Sequence, residues 1–372
     1  MLKVAIVCGA GIVSGKEIMA LELAKGLRDK GCEVEIITSC WGNGDFRRRL
    51  EDENFPAHVM RLGFISATLN FECMRMTAHQ MLFWPKLLMD YYHFLKTVRP
   101  GKVVHTNWHH LILLCPFLRP GRDIYWSHEI TPTKPQYRCL FLALANRVGC
   151  FVAVSRAAAQ SLLRLGVPKD KVVVIYNGID DPAPVDAAMP DNAVLIIAIV
   201  GQIGAWKGHE DLLMAFRDVL KTHPTTQLHI FGRQGSKYET FLRKRANELE
   251  IEQKVVWRGF VEDISQIYRD PSVVSVPTKY VEPFGLTAIE AAFFRVPVVA
   301  SRKGGLPEII ADDETGLLFE SGDIGQLAQH LTRLLADPEL RNKMGRKARE
   351  RAMSLFSRDR FIGDFFRLLE AA

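Results

Sequence analysis

The sequence lacks the features that mark several large classes of protein. No apolar run among its 372 residues reaches the length of a membrane-spanning helix. The seven cysteines are scattered without the spacing of zinc ligands, and no acidic cluster is spaced for a hard cation. The apolar start, residues 2–8, lacks the layout of a signal peptide. We therefore expect reduced thiols, no bound metal and a cytoplasmic protein.

Two common nucleotide-binding motifs are also missing near the N-terminus. A Walker A loop ending in Gly15 and Lys16 needs glycine at position 10 and Ser or Thr at position 17, where this chain has Ala and Glu. The dinucleotide fingerprint needs a third glycine where Ser14 stands. What remains is a loop of small residues before a predicted helix, which suits close approach to an anion or sugar, or simply a tight turn.

The net charge of the chain is positive in its first half and negative in its second half. Residues 1–178 hold 23 Lys and Arg against 14 Asp and Glu, whereas residues 179–372 hold 25 against 28. A basic half could face nucleic acid, an anionic membrane surface or an anionic small molecule. Because no basic stripe is interleaved with aromatic residues, we expect no nucleic-acid partner.

Short apolar runs alternate with amphipathic segments in both halves of the chain. The runs predict strands at residues 2–8, 33–39, 103–105, 124–127, 150–154, 172–176, 194–200, 227–231, 254–257, 273–276 and 298–301. This alternation predicts the α/β class, with two Rossmann-like domains facing each other across a cleft. The predicted domains are residues 1–180 and 193–372, joined by a linker over 181–192, with the last helix able to pack back on the first domain.

Residues 73–97 predict one long helix with an apolar side. Phe83, Leu87 and Tyr91 lie on that side, and packing in the core is the favoured interpretation. The alternative is a helix on a membrane surface, with Lys86 and Lys96 among the basic residues that flank it.

The stretch over residues 280–290 is the most informative in the chain. Gly285 breaks the chain just before a helix that we start near Leu286, and a helix N-terminus offers free N–H groups to an anion. Glu282 and Glu290 bracket this start and should face the same opening, where carboxylates can accept hydrogen bonds from sugar hydroxyls. An ordinary helix start with acidic residues favoured by the helix dipole is the alternative.

Taken in order, these segments resemble the retaining glycosyltransferases of the GT-B type, specifically the GT4 family. The resemblance covers nearly the whole chain and is most specific at Glu282 and Glu290, within Glu-Pro-Phe-Gly-Leu-Thr. The other matching segments are His128-Glu129, Val154-Ser155, Asn177-Gly178-Ile179-Asp180, Trp206-Lys207-Gly208, Gly259-Phe260-Val261, Gly304-Gly305-Leu306-Pro307-Glu308 and Thr315-Gly316-Leu317-Leu318.

The resemblance implies a role for each matching residue. Glu290 resembles the carboxylate that binds the ribose hydroxyls of the nucleotide, and Glu282 resembles the one that holds the donor sugar. Lys207 resembles the cation on the diphosphate, and Phe260 would sit beside the base. His128, which directly follows a predicted strand, resembles the histidine near the donor sugar and the reacting centre.

The resemblance also implies that backbone groups take part in the site. Two positions of this chain depart from the family pattern. Ser14 and Gly15 stand where the family often has two glycines near the phosphate and acceptor, and Gln202 stands where an arginine often pairs with the lysine. The second phosphate cation would then be missing, or it would come from Arg233, after Gly232 at the end of a predicted strand, or from Arg258. The N–H groups expected to face sugar and phosphate belong to Phe284, Gly285 and Leu286.

The resemblance implies metal-independent transfer of a hexose, with retention, from a UDP- or GDP-sugar to an acceptor hydroxyl. The acceptor would be a glycan or glycolipid, as in glycan, polysaccharide or lipopolysaccharide synthesis, with no cofactor besides the donor. Contact of the basic domain with the inner face of an anionic membrane is a further option. The alternative functions are a nucleotide-sugar epimerase or hydrolase, a non-catalytic nucleotide-sugar-binding protein, and a peripheral membrane protein without catalytic activity. An alternative mechanism has Glu282 as a covalent nucleophile.

Overall fold

The computed structural model describes residues 1–9, 13–41, 44–65, 70–183 and 194–371. The chain forms two compact units, one of Met1–Ile179 with Arg358–Ala372 and one of Asp180–Ser357. The predicted linker, 181–192, lies outside the described residues from position 184 onward. In the described part of the chain, no helix combines the length and apolarity needed to span a membrane.

The first unit is built on a seven-stranded parallel sheet. Its strands are β1 (Lys3–Val7), β2 (Glu33–Ser39), β3 (Ala57–Met60), β4 (Lys102–His105), β5 (Asp123–Ser127), β6 (Cys150–Ala153) and β7 (Val172–Val174). They lie in the order β3-β2-β1-β4-β5-β6-β7. The chain therefore leaves β1 toward one side and returns at β4 on the other, which is the Rossmann order and creates a switch point between β1 and β4.

Helices connect these strands. They are α1 (Gly15–Asp29), α2 (Asp45–Asp52), α3 (Phe71–Leu82), α4 (Trp84–Val98), α5 (Trp108–Leu113), α6 (Pro135–Ala145) and α7 (Arg156–Arg164). The sequence pattern predicted neither α2 nor β3. The strand β3 was missed because it is a half-buried edge strand without a continuous apolar run.

The prediction of one helix over residues 73–97 is wrong, because α3 and α4 are separate helices that meet at Phe83. Pro85 lies in the first turn of α4, where its missing N–H costs nothing, but it cannot continue α3. The interpretation of the apolar side as core is confirmed for Leu87 and Tyr91, which are fully buried under the sheet.

The second unit repeats this plan with six parallel strands. They are β8 (Ile196–Val200), β9 (Gln227–Phe231), β10 (Val255–Gly259), β11 (Val273–Val276), β12 (Val298–Ser301) and β13 (Gly316–Phe319). Their order, β10-β9-β8-β11-β12-β13, is again the Rossmann order, with the switch point between β8 and β11. The predicted fold class, α/β with two Rossmann-like domains, is confirmed.

The helices of the second unit cover both faces of its sheet. They are α8 (His209–Leu220), α9 (Lys237–Glu248), α10 (Ile264–Tyr268), α11 (Leu286–Phe293), α12 (Leu306–Ile309), α13 (Ile324–Ala336) and α14 (Pro338–Leu355). One core cluster joins the sheet to α8 and α13 through buried residues such as Phe216 and Leu331. Such burial on both faces explains why the strands read as continuous apolar runs.

The last helix, α15 (Arg358–Ala371), belongs to the first unit. Phe361 and Phe365 pack on the buried Trp126 ring, with ring centroids 5.6 and 5.0 Å away. The Arg358 side chain forms ion pairs with Glu22 at 3.2 Å and with Asp29 at 2.9 Å. The second unit therefore ends at Ser357, before the predicted boundary of residue 372.

Candidate functional site

The switch point of the second unit brings two predicted site residues together. The loops that follow β8 and β11 leave adjacent strands at the same edge of the sheet. Lys207, in the first loop, donates to Oε2 of Glu282 in the second at 2.7 Å. The backbone carbonyl of Trp206 also accepts from the Lys279 amide at 2.8 Å. The two loops are therefore joined by both main-chain and side-chain bonds.

Glycine at position 208 lets the two loops approach each other. Gly208 has φ +76°, and a Cβ there would lie 1.9 Å from the carbonyl oxygen of Pro277. Only glycine combines this backbone conformation with such a close approach. Gly208 therefore fixes the position of its neighbour Lys207 against the loop that carries Glu282.

Two further glycines support the main chain of Glu282. Gly304 has φ +60°, and a Cβ there would lie 1.9 Å from the Glu282 carbonyl oxygen. The amide of Gly305 donates to that same oxygen at 2.8 Å. The loop after β12 thus holds the main chain of Glu282 in place, while the carboxylate of Glu282 bonds to Lys207.

The prediction that a helix begins near Leu286 is confirmed, since α11 starts there with Gly285 at its N-cap. Gly285 has φ +124°, which directs the chain sharply into the helix. The side chain of Phe284 is buried and lies edge-on to Phe356 at 5.8 Å between ring centroids. Any ligand contact by Phe284 would therefore come from its backbone, as the resemblance implies.

Glu290 lies in the second turn of α11 and bonds to a residue that the sequence did not point to. The phenol of Tyr268, at the end of α10, donates to Oε2 of Glu290 at 2.6 Å. Burial raises the pKa of the Glu290 carboxyl above its usual range, and the bond from Tyr268 opposes that rise. Tyr268 therefore favours the ionised carboxylate, the form that accepts hydrogen bonds from hydroxyl groups.

Three neighbouring strands of this sheet, β10, β9 and β8, run into glycines at their carboxyl ends. A Cβ at Gly232, after β9, would lie 2.2 Å from the carbonyl oxygen of Gly201, after β8. The amide of Gly232 also donates to the carbonyl of Gly259, the last residue of β10, at 2.9 Å. These close approaches leave a surface of main chain rather than side chains at the strand ends.

Exposed side chains border this surface. The guanidinium of Arg233 lies over the exposed ring of Phe260 at 5.6 Å, while that of Arg258 lies over Phe231 at 5.8 Å. Gln202, which follows Gly201, is exposed. The structure thus pairs Arg233 with the predicted base-side residue Phe260, and it places Arg258 against a different ring.

In the first unit, His128 follows β5 and is held as a neutral imidazole. Its ring lies 4.1 Å from the Trp126 ring, and its buried Nε2 has no hydrogen-bond partner among the described residues. Burial lowers the pKa of His128 well below its usual range, and the charge of Lys16 lowers it further. A neutral imidazole with an unused nitrogen can still make one hydrogen bond to a ligand.

Ser14 and Gly15 mark the start of α1, and a buried carboxylate holds this turn. The Ser14 amide donates to Oε2 of Glu17 at 3.0 Å, and the Ser14 hydroxyl donates to the same oxygen. Glu17 is buried, and its other oxygen lies 3.5 Å from Nζ of Lys16. Glu17 therefore accepts hydrogen bonds from both the amide and the hydroxyl of Ser14.

The sequence analysis missed Tyr268 and Glu17, and it gave no structural role to Gly304. The serine-to-glutamate spacing at positions 14 and 17 is the pattern of a capping box and could have identified Glu17. No local pattern connects Tyr268 with Glu290, since only the packing of α10 against α11 brings them together.

The two Rossmann-like units give the chain the GT-B fold. Over its full length the chain is similar to the HepE structure from Anabaena in complex with UDP-glucose, at 19% identity and a TM-score of 0.80. The comparison covers 100% of both chains. The structure of WaaG, a glycosyltransferase of lipopolysaccharide biosynthesis, is similar at 16% identity and a TM-score of 0.74, and 99% of this chain is covered along with 100% of that one.

The sequence itself matches two family descriptions. Residues 13–181 match Glycosyltransferase Family 4, and residues 189–351 match Glycosyl transferases group 1. The chain belongs to the group 1 glycosyltransferases of family 4. The predicted family is thereby confirmed.

Curated relatives differ in how much of their length is matched. The D-inositol 3-phosphate glycosyltransferase of Corynebacterium efficiens is 36% identical over 164 residues, which are 42% of this chain and 38% of that protein. The N-acetyl-alpha-D-glucosaminyl L-malate synthase of Bacillus anthracis is 23% identical over 98% of this chain and 95% of its own length. The chain thus spans well under half of the first relative and nearly all of the second.

Proposed function

We propose that this protein transfers a hexose from a UDP- or GDP-sugar to an acceptor hydroxyl with retention at the anomeric carbon. The observation that carries the proposal is the 2.7 Å contact between Lys207 and Glu282 at the start of α11. It places a cation and a carboxylate just before the N-terminus of a helix, where the first N–H groups have no partner within the helix. These are the groups needed for a diphosphate and for sugar hydroxyls.

In this proposal, Lys207 and Glu282 pair with each other only while no donor is bound. A bound diphosphate would take the ammonium of Lys207, and the sugar hydroxyls would donate to the carboxylate of Glu282. Both charged groups thereby exchange one partner for another instead of losing it, which avoids the cost of an unpaired charge. UDP is the favoured nucleotide, because similar structures such as HepE were determined with UDP-glucose.

The transfer breaks the bond between the anomeric carbon and the phosphate oxygen and forms a bond to the acceptor oxygen. The acceptor's proton passes to the leaving diphosphate, whose growing negative charge is stabilised by Lys207 and the N-terminus of α11. Glu290 would hold the ribose hydroxyls and Phe260 the base. For His128, the proposed contact with the donor sugar rests on the family resemblance and on its unused nitrogen.

The acceptor in this proposal is a glycan or glycolipid, and the reaction needs no metal. Contact of the basic first unit with an anionic membrane is part of the same proposal. If magnesium restored activity that EDTA had removed, metal independence would be wrong, because the diphosphate would then depend on a metal rather than on Lys207.

The test is the Glu282→Gln variant, assayed by product analysis and by calorimetric titration with UDP and UDP-glucose. Loss of the carboxylate should lower turnover by about a hundredfold or more. UDP itself should bind at least as tightly as before, because Lys207 no longer has a competing anion. Lys221→Gln, at an exposed ion pair on α8, is the matched control and should change neither quantity.

Turnover near that of the wild type, with unchanged donor affinity, would remove Glu282 from the site. A glycosyl-enzyme adduct trapped in the wild type would instead favour Glu282 as a nucleophile. Release of free sugar at the same rate with and without acceptor would favour a hydrolase, and donor that is bound but never consumed would favour a binding protein.

A further inference from the structure

The helices α3 and α4 carry a row of large apolar side chains that face solvent. Phe71 is 80% exposed, Leu82 is 73% exposed and Met89 is 69% exposed. We call the row the α3–α4 stripe, and its members are Phe71, Met74, Met81, Leu82, Met89 and Tyr92. This stripe is distinct from the buried side of α4, to which the sequence pattern pointed.

Helical geometry separates the stripe from the side that packs on the sheet. Each residue turns an α-helix by about 100°. The buried residues of α4, Leu87, Tyr91 and Phe94, share one face, and Met89 and Tyr92 lie roughly opposite to it. Helix α4 therefore has a buried apolar face and a second, exposed apolar face, where the Tyr92 ring lies 6.2 Å from that of Phe117.

The polar border of the stripe is basic. Arg75, Lys96 and Arg99 are exposed, and within the described ranges none of them forms an ion pair with a carboxylate. Lys96 lies over the ring of Tyr92 at 5.6 Å, so its charge stands at the edge of the stripe itself. Asp90, one of two acidic residues on these helices, is already paired with Lys86 at 2.7 Å.

We propose that the α3–α4 stripe docks the protein on an anionic lipid bilayer, with the apolar side chains in the interface and the cations on the headgroups. Exposed apolar residues beside unpaired cations fit a surface that is apolar inside and negative outside. A second copy of the chain fits less well, because a two-fold contact would bring the cations of both copies together. The proposal deepens the proposed function, since it gives the enzyme access to lipid-linked acceptors.

The side of α3 that packs on the rest of the first unit is separate from the α3–α4 stripe. Gln80 and Trp41 mark the packed side of α3, where the Gln80 amide donates to the Arg61 carbonyl at 2.9 Å and the Trp41 ring lies 4.8 Å from that of His79. This side lies over the carboxyl ends of β2 and β3, the edge at which α/β sheets bind ligands. A bilayer against the stripe would therefore lie beside the ligand-binding edge of the first unit.

The test is flotation with vesicles of phosphatidylcholine, with and without phosphatidylglycerol. The triple variant Met74→Gln/Leu82→Gln/Met89→Gln should bind at least about a hundredfold more weakly to anionic vesicles, since each buried apolar side chain contributes about tenfold. Met76→Gln, a change of another exposed methionine of α3 that lies away from the stripe, is the matched control and should bind like the wild type.

The charges are tested separately with Arg75→Gln/Lys96→Gln. Each cation contributes about fivefold on an anionic surface, so this variant should lose about 25-fold on vesicles with phosphatidylglycerol. On phosphatidylcholine alone it should bind like the wild type. Added salt should weaken the wild type toward the level of the variant.

Three results would overturn the proposal. They are a wild type that does not float with anionic vesicles, a triple variant that binds as well as Met76→Gln, and a wild-type dimer that only the triple variant dissociates. UDP binding by thermal shift is measured on every variant and should not change. If the wild type showed no transfer activity, the proposed reaction would be refuted. The vesicle result would still test membrane docking, because it does not depend on that activity.

Discussion

The hydrogen bond from Tyr268 to Glu290 predicts a specific defect in the Tyr268→Phe variant. Phenylalanine keeps the ring that stacks on Phe294 at 5.8 Å and removes only the donor at 2.6 Å from the carboxylate. A hydrogen bond to a charged group contributes about 1.5–3 kcal/mol, which corresponds to about 10- to 150-fold in an equilibrium constant. We expect UDP to bind at least about tenfold more weakly.

The defect should depend on pH in a defined direction. Burial already raises the pKa of Glu290, and loss of the Tyr268 bond removes an interaction that lowers it. Since the carboxylate must be ionised to accept hydrogen bonds from ribose, donor affinity falls as pH falls through the raised pKa. In Tyr268→Phe this fall should begin at a higher pH than in the wild type.

Calorimetric titration with UDP and 2′-deoxy-UDP separates a positioning role from a structural one. If Tyr268 acts through Glu290 on the ribose hydroxyls, the variant should lose less affinity for the deoxy nucleotide than for UDP. Tyr280→Phe removes an exposed phenol from the loop before α11 and is the control that should change neither affinity. Equal losses for both nucleotides, or no loss for UDP, would refute the reasoning.

Three further predictions concern backbone approach, the last helix and the histidine. Gly304→Ala should cost about 1–3 kcal/mol and weaken donor binding, because its Cβ would meet the Glu282 carbonyl, whereas Gly322→Ala, with φ +92° and open space, should spare binding in the same titration. Phe365→Ala should destabilise the first unit by about 3–5 kcal/mol in urea unfolding and leave the stabilisation of the second unit by UDP unchanged. Because the pKa of His128 is lowered well below its usual range, His128→Gln should reduce turnover without changing the shape of the pH profile between about pH 6 and 8, and a lost acid limb there would contradict this.

The sequence was most informative where a segment is buried on both faces. The predicted strands at 227–231, 273–276 and 298–301 coincide with β9, β11 and β12, because parallel strands covered by helices on both faces are mostly apolar and end at a loop. The start of α11 at Leu286 was predictable for a related reason, since Gly285 both breaks the preceding chain and permits the positive φ that the turn requires.

Features that depend on contacts between distant segments could not be predicted from local patterns. The break between α3 and α4 was not predicted, because the apolar residues over 73–97 also fit one long helix with a single apolar side. The sequence analysis allowed the last helix to pack back on the first domain, but only the packing of Phe361 on Trp126 assigns it to that unit. Likewise, Tyr268 becomes a site residue through tertiary packing alone.

The ion pair between Lys207 and Glu282 explains why charge alone would not select the donor. Orthophosphate could take Lys207, but it would leave Glu282 beside a second anion and without its cation. A nucleotide sugar supplies an anion for the lysine and hydroxyl donors for the carboxylate at once, so both groups remain paired. The glycines at 208 and 304 hold the two residues at this spacing through the backbone, which keeps the pair ready for that exchange. In the proposed mechanism, selectivity for the sugar would therefore follow from a carboxylate that disfavours any anion lacking hydroxyl groups to donate to it.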